Sequence, residues 1–154
     1  MLNVQSPAPD FSLPDQSGKV ISLNEFKNQE NVVLYFYPKD DTPGCTIEAN
    51  QFTALIDEFV AHDTVIIGIS KDSCESHQQF IDKFGLKVEL ISDVEGAMCE
   101  SYGVWQEKEK NGIKKMGIVR STFIVDKQGS LAYVEYGVIA DGHAQAILDK
   151  VKSL

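Results

Sequence analysis

Two unbroken apolar runs dominate the hydrophobic pattern of the chain. Residues 31–37 (Asn-Val-Val-Leu-Tyr-Phe-Tyr) and 64–70 (Thr-Val-Ile-Ile-Gly-Ile-Ser) lack the polar alternation of a half-exposed strand. Such runs predict strands buried on both faces of a sheet. Between them, from Thr46, the ladder Ile47, Phe52, Leu55, Ile56, Phe59 and Val60 predicts a helix lying on that sheet. A second helix is predicted over 73–84, a short strand over 88–91 and a brief helix over 95–102. Residues 120–125 and 131–136 flank Asp126-Lys127-Gln128-Gly129 and predict an antiparallel hairpin. A closing helix from Asp141 repeats apolar residues at Ala144, Ile147, Leu148 and Val151. Ahead of all this, residues 7–23 hold two short extended pieces around Asp15-Gln16-Ser17-Gly18, a second hairpin. Alternating β and α elements followed by a hairpin and a helix predict an α/β fold, a three-layer α/β/α sandwich around a mixed sheet.

The stretch from Glu107 to Lys115 mixes charge signs around Asn111-Gly112 and reads as a solvated loop. At 154 residues, the chain is expected to form a single domain over 1–154. Its formal net charge of −9 excludes a nucleic-acid binder, because no basic cluster is available to displace counterions. No apolar run approaches membrane-spanning length and the start of the chain has no signal-like segment, so no membrane partner and a cytoplasmic setting are expected. Three cysteines, an odd number without metal-ligand spacing, make no disulfide framework. With no paired His/Asp/Glu spacing and no glycine-rich phosphate loop, neither a metal nor a nucleotide cofactor is expected.

The candidate chemistry centres on Cys45. It lies in Pro38-Lys39-Asp40-Asp41-Thr42-Pro43-Gly44-Cys45-Thr46, directly after the first apolar run and at the start of a helical pattern. A strand that turns into a helix sets its first-turn residues on unpaired backbone N–H groups and the positive end of the helix dipole. A thiol held there is driven toward the nucleophilic thiolate. Thr42 is the natural N-cap and Pro43 suits the first helical position. Arg120, the sole arginine, sits inside Gly117-Ile118-Val119-Arg120-Ser121-Thr122-Phe123-Ile124-Val125, a run otherwise fit for a buried strand. A charge there needs an anionic partner or a route to water.

Together these residues resemble the peroxiredoxins. The spacing Pro-x3-Thr-x2-Cys is present as Pro38, Thr42 and Cys45, with Glu48 three residues on and Arg120 in Arg-Ser-Thr-Phe. The wording Tyr-Pro-x3-Thr-Pro-Gly-Cys-Thr resembles the bacterioferritin comigratory protein, or PrxQ, branch. Ala8-Pro9-Asp10-Phe11, Asp72-Ser73, Ser76-His77 and Tyr102-Gly103-Val104-Trp105 extend the likeness over nearly the whole chain. The resemblance implies a thioredoxin-like fold and a thiol-dependent peroxidase, free of cofactors, that reduces hydrogen peroxide and organic hydroperoxides to water and alcohols. It implies that Cys45 attacks the peroxide and becomes a sulfenic acid. Arg120 would hold the thiolate and the peroxide, the Thr42 hydroxyl would bond a peroxide oxygen, Pro38 would shield the sulfur, and Glu48 would orient Arg120. Asp40 and Asp41 would oppose a thiolate if they faced it, so both are expected to point to solvent.

The resemblance leaves the recycling step open. Many relatives carry a resolving cysteine five residues after the reactive one, where this chain has Asn50. Another branch places it on the following helix, near Ile81. Cys74 lies two helical turns earlier and either resolves Cys45 after local unfolding or is a bystander to a one-cysteine enzyme. Cys99 reads as a small buried hydrophobe. Thioredoxin, glutaredoxin or a small thiol would supply electrons, and a monomer or weak dimer is expected. His77 reads as decoration on an exposed helix, His62 and His143 as helix-end residues, and Trp105 as packing. A thiol–disulfide oxidoreductase would need Cys-x-x-Cys, and Thr42 occupies the first of those positions. A non-enzymatic alternative is a redox sensor or holdase chaperone switched by oxidation of Cys45.

Overall fold

The computed structural model describes residues 2–154. The two apolar runs form adjacent parallel strands, β3 (Asn31–Phe36) and β4 (Thr64–Ser70). With β5 (Glu89–Ser92), β8 (Ser121–Val125) and β9 (Leu131–Tyr136) they build a mixed sheet in the order β5-β4-β3-β8-β9. β3, β4 and β5 run parallel, whereas β8 is antiparallel to β3 and β9 to β8. The N-terminal hairpin pairs β1 (Ser12–Pro14) with β2 (Val20–Ser22).

Side chains alternate along β3 and so belong to two separate cores. Val33, Tyr35 and Tyr37 face a layer made by α1 (Pro43–Ala54), α2 (Ile56–Ala61), α3 (Cys74–Phe84) and α5 (His143–Lys152). Val32, Leu34 and Phe36 face the opposite layer, which α4 (Ala97–Ser101) shares with Phe11, Ile21 and Leu23 of the N-terminal segment. This is the expected three-layer α/β sandwich of thioredoxin-like type, with one outer layer largely non-helical. The crossovers from β3 to β4 and from β4 to β5 carry α1, α2 and α3 to the same face. Gly68 on β4 leaves no room for a side chain, since a Cβ there would stand 2.7 Å from Tyr35 Cζ.

Three expectations need correction. The ladder after Thr46 is two helices, because the chain bends at Leu55, and Ile47 and Val60 face solvent rather than the sheet. The charged stretch is no loop: β6 (Trp105–Lys110) and β7 (Ile113–Ile118) pair around Asn111 and Gly112, whose φ values of 55° and 77° are those of a tight hairpin turn. Its residues are mostly exposed, so solvation was legible and strand pairing was not. Finally, the run from Gly117 to Val125 is broken at Val119 and Arg120, between β7 and β8. Cys99 lies fully buried, as expected, and burial, with Asp93 beside it, pushes its thiol well above the ordinary range.

Candidate active site

The chain leaves β3 at Phe36, turns through residues 37–42 and enters α1 with Thr42 as N-cap and Pro43 in the first turn. The cap works through the backbone: Thr46 N–H donates to Thr42 O at 2.9 Å, while the Thr42 hydroxyl donates to Lys39 O at 3.0 Å. Cys45 therefore lies in the first turn of α1, where backbone N–H groups are unpaired, and it is only 1% exposed.

Arg120 comes to this thiol from the break between β7 and β8. Its carbonyl accepts from Gly137 N and Val138 N, which fixes the backbone. Its Nη2 donates to Cys45 Sγ at 3.3 Å and its Nη1 to Glu48 Oε1 at 2.6 Å. Gly44 makes room, because a Cβ there would stand 3.1 Å from Nη2. Cys45 and Glu48 share a helix face one turn apart, so one guanidinium reaches both. Glu48 is fully buried, and its Oε2 has no hydrogen-bond partner among the described residues. Burial pushes the Glu48 carboxyl up to about 7, with Arg120 pulling against that rise. For Arg120, burial works against the charge, but Glu48 and Cys45 outweigh it and raise its affinity for the proton.

Of the residues expected at the site, Cys45, Glu48 and Arg120 are thus in direct contact, and Thr42 stands at the head of the same helix. Pro38 lies exposed at the start of the turn. Cys74, half-buried, is the first residue of α3. Because β3 and β4 are parallel neighbours, α1 and α3 both start at the C-terminal edge of the sheet, so the two thiols share that edge. Both are free among the described residues.

Two expectations fail here. Asp41 does reach solvent, where it pairs with Lys83 at 2.7 Å. Asp40 does not: it is buried, accepts from Tyr37 Oη at 2.6 Å and Ser76 Oγ at 2.8 Å, and is hydrogen-bonded with His77 Nδ1 at 2.7 Å. His77 is correspondingly no exposed ornament but fully buried. The physical reason is mutual compensation, since the imidazole and two hydroxyls satisfy a carboxylate that would otherwise need water. His143 is also buried, against Thr122 Oγ1 at 2.8 Å, and burial lowers its affinity for a proton. Trp105 packs under the Lys71 ammonium, 4.1 Å from its ring centre.

Lys108 on β6 was not singled out by sequence. Its ammonium donates to Ile118 O at 2.8 Å. Burial and the Arg120 charge lower its affinity for a proton while Cys45 opposes them, which makes it a second cation within electrostatic reach of the thiol. Its place in an alternating-charge stretch gave no signal of this.

A thioredoxin-like sandwich with a cysteine at a helix start, held by a half-buried arginine, defines a thiol-based redox protein. The AhpC/TSA family model matches residues 4–134. A Helicobacter pylori protein described as a putative peroxiredoxin bcp is 44% identical over 150 residues, covering 97% of this chain and 98% of that protein. Peroxiredoxin Bcp of Bacillus subtilis is 39% identical over 153 residues, covering 99% and 97%. Among solved structures, the bacterioferritin comigratory protein of Xanthomonas campestris, studied for alkyl peroxide reduction, superposes with a TM-score of 0.88 at 37% identity, covering 93% of this chain and 90% of that one. A cysteine-to-serine mutant of Xylella fastidiosa PrxQ gives a TM-score of 0.93 at 30% identity, covering 99% and 97%. The chain belongs to the AhpC/TSA family, as a peroxiredoxin of the Bcp/PrxQ branch.

Proposed function

We propose that the protein is a thiol-dependent peroxidase that reduces hydrogen peroxide and organic hydroperoxides through Cys45. The observation that carries this reading is the single guanidinium shared between Cys45 Sγ and Glu48. The thiolate attacks the terminal peroxide oxygen, the S–O bond forms as the O–O bond breaks, and the departing oxygen takes a proton from solvent to leave as water or alcohol. Negative charge spreads over sulfur and two oxygens in the transition state. Arg120, the first-turn N–H groups and, at longer range, Lys108 are fixed where they would stabilise that charge without reorganising. The Thr42 hydroxyl, which now donates to a backbone carbonyl, would turn to a peroxide oxygen. Glu48 holds the guanidinium in place, and Pro38, two residues past the end of β3, would shield the sulfur and shape the approach to it.

Return to the thiol takes two further thiol equivalents, from thioredoxin, glutaredoxin or a small thiol. Cys74 is the candidate internal partner, because it begins the helix that starts beside the Cys45 turn. Its attack requires Cys45 to leave a site in which it is 1% exposed. A single domain, a monomer or weak dimer, and a cytoplasmic setting complete the reading. No helix among the described residues is long and apolar enough to cross a membrane.

The test is peroxide consumption driven by a thiol donor, which the wild-type chain sustains and Cys45→Ser abolishes. Stoichiometric oxidation without turnover would instead make the protein a sensor. Intact mass after one equivalent of peroxide without donor separates the recycling routes. A gain of one oxygen marks an unresolved sulfenic acid, and a loss of two hydrogens, mapped by digestion, marks a Cys45–Cys74 disulfide.

A further inference from the structure

Beside the thiol-bearing turn lies a second buried polar cluster that peroxide chemistry does not use. Its centre is His77, whose Nε2 faces Ile91 O at 2.9 Å and whose Nδ1 faces Asp40 Oδ2 at 2.7 Å. Ile91 O can only accept, so Nε2 carries a hydrogen, and Nδ1 and the Asp40 carboxyl share one hydrogen between them. Tyr37 and Ser76 hydroxyls supply the other donors to that carboxylate. The Asp40 backbone N–H donates to Asp72 Oδ2 at 2.8 Å, and the Ser70 hydroxyl donates to the same oxygen at 2.7 Å. Asp40, Asp72 and His77 offer atoms close enough together for a cation, within 4.8 Å of one another. Those atoms are already engaged by N–H and O–H donors, so the cluster is a fastening rather than a cation site.

What it fastens is specific. Tyr37 and Asp40 belong to the turn that leads into Thr42 and Cys45, whereas Ser70, Asp72, Ser76 and His77 belong to the segment that carries Cys74. We propose that the buried His77–Asp40 pair is the latch that closes the Cys45 turn onto the start of α3, holding the thiol in place for peroxide and opening for the thiol step. Neither residue touches peroxide; both are positioning residues, and the inference rests on Cys45 being the reacting sulfur.

The two states divide the fate of the sulfenic acid. With the latch closed, Cys45 stays in the peroxide pocket, where a second peroxide adds another oxygen to give a sulfinic acid and releases water or alcohol. With it open, a thiol sulfur attacks the sulfenic sulfur, an S–S bond forms as S–O breaks, and the oxygen leaves as water with the thiol's proton. Latch strength therefore sets the ratio of recycling to overoxidation.

The test combines hydrogen exchange with two rate measurements on the full chain carrying His77→Gln, and separately on Ser76→Ala, which deletes only one hydroxyl donor. In peroxide-free protein, His77→Gln is expected to speed amide exchange about tenfold or more in residues 38–48 and 72–80, leaving β8 and β9 unchanged. The same variant should oxidise more slowly with one equivalent of peroxide. It should also yield less sulfinic acid under excess peroxide at equal thiol donor. Ser76→Ala should move both readouts the same way by less, and it serves if the first variant fails to fold. Exchange rising uniformly over the chain, or an unchanged ratio of recycling to overoxidation, overturns the latch. Since the exchange measurement needs no peroxide chemistry, it fails separately from the assignment of Cys45, which Cys45→Ser tests.

Discussion

Replacing Arg120 by alanine would leave the Cys45 sulfur and the Glu48 carboxyl without the guanidinium they share. Glu48 is fully buried, and the side chain of Arg120 is only 16% exposed, so the pair is lost from a poorly solvated site. Breaking such a pair from one side costs about 3–5 kcal/mol, mostly because the remaining charge is stranded. At alkaline pH the stranding is severe, since Glu48 Oε2 has no partner among the described residues; near and below neutral pH the carboxyl, already pushed up to about 7 by burial, takes up a proton instead. The transition state for peroxide attack loses a fixed cationic donor as well, a change worth about 10²–10³ in rate. Two losses of different origin are therefore folded into one substitution.

A second substitution separates them. Glu48→Gln added to Arg120→Ala removes the stranded charge, so urea unfolding followed by Trp105 fluorescence at pH 8 should recover most of the lost stability. Stopped-flow oxidation by a single equivalent of peroxide should stay slow, because no cation has been restored. The pH dependence carries a further signature. A carboxyl whose folded-state value is raised from 4.5 to about 7 favours folding in full below the lower figure and loses that contribution as pH climbs toward the upper. In Arg120→Ala, the deficit should accordingly be small at pH 5 and largest above 7, and the Gln variant should flatten it. If the oxidation rate returns together with stability, Arg120 acts only by holding the fold, and its role on the thiolate and peroxide is wrong.

Thr42→Val should lower kcat/KM for peroxide by about tenfold while leaving alkylation of Cys45 by iodoacetamide unchanged, because the lost hydroxyl serves the peroxide oxygen rather than the sulfur. Equal losses in both reactions would refute that division. Gly68→Ala should lower the urea midpoint by the equivalent of about 1–3 kcal/mol or more, since the new methyl meets Tyr35 Cζ at 2.7 Å and Leu90 Cδ2 at 2.8 Å from strands on either side of β4. Below the unfolding transition its peroxidase rate should match the wild type.

The parts of the fold that sequence disclosed are those in which burial leaves a one-dimensional trace. β3 and β4 are covered on both faces, so their residues read as continuous apolar runs. α5 sets Ala144, Ile147, Leu148 and Val151 along one stripe. β6 and β7 stand clear of the main sheet, with both faces largely in solvent, so no alternation marks them and only Asn111-Gly112 hints at the turn. The bend at Leu55 escaped notice because the apolar positions on either side of it keep helical spacing. The Cys45–Glu48 relation was visible because it lies within a single helical turn. His77 and Asp40 are 37 residues apart and meet only because parallel strands bring two turns to one sheet edge. Nothing local distinguishes such polar residues from ones that face water.

That failure bears on the electrostatics of the thiol. Asp40 and Asp41 were expected to turn outward, on the ground that a negative charge facing the sulfur would oppose a thiolate. The protein meets the same requirement by another route. Asp40 stays inside, five residues before Cys45, but it shares one hydrogen with His77 Nδ1 at 2.7 Å, which leaves the pair neutral overall. Glu48 stays inside on the other flank and is met at 2.6 Å by Arg120. A neutral pair contributes a field that falls off faster with distance than that of a lone charge. Two nearby carboxylates thus fix the geometry of the turn and of the guanidinium at modest cost to the thiolate. The positive end of α1 and the second contact of Arg120 are then free to act on sulfur, and Lys108 adds to them from β6. Removing His77 alone would undo this balance as well as the latch, because it leaves the buried Asp40 carboxyl without its partner at 2.7 Å.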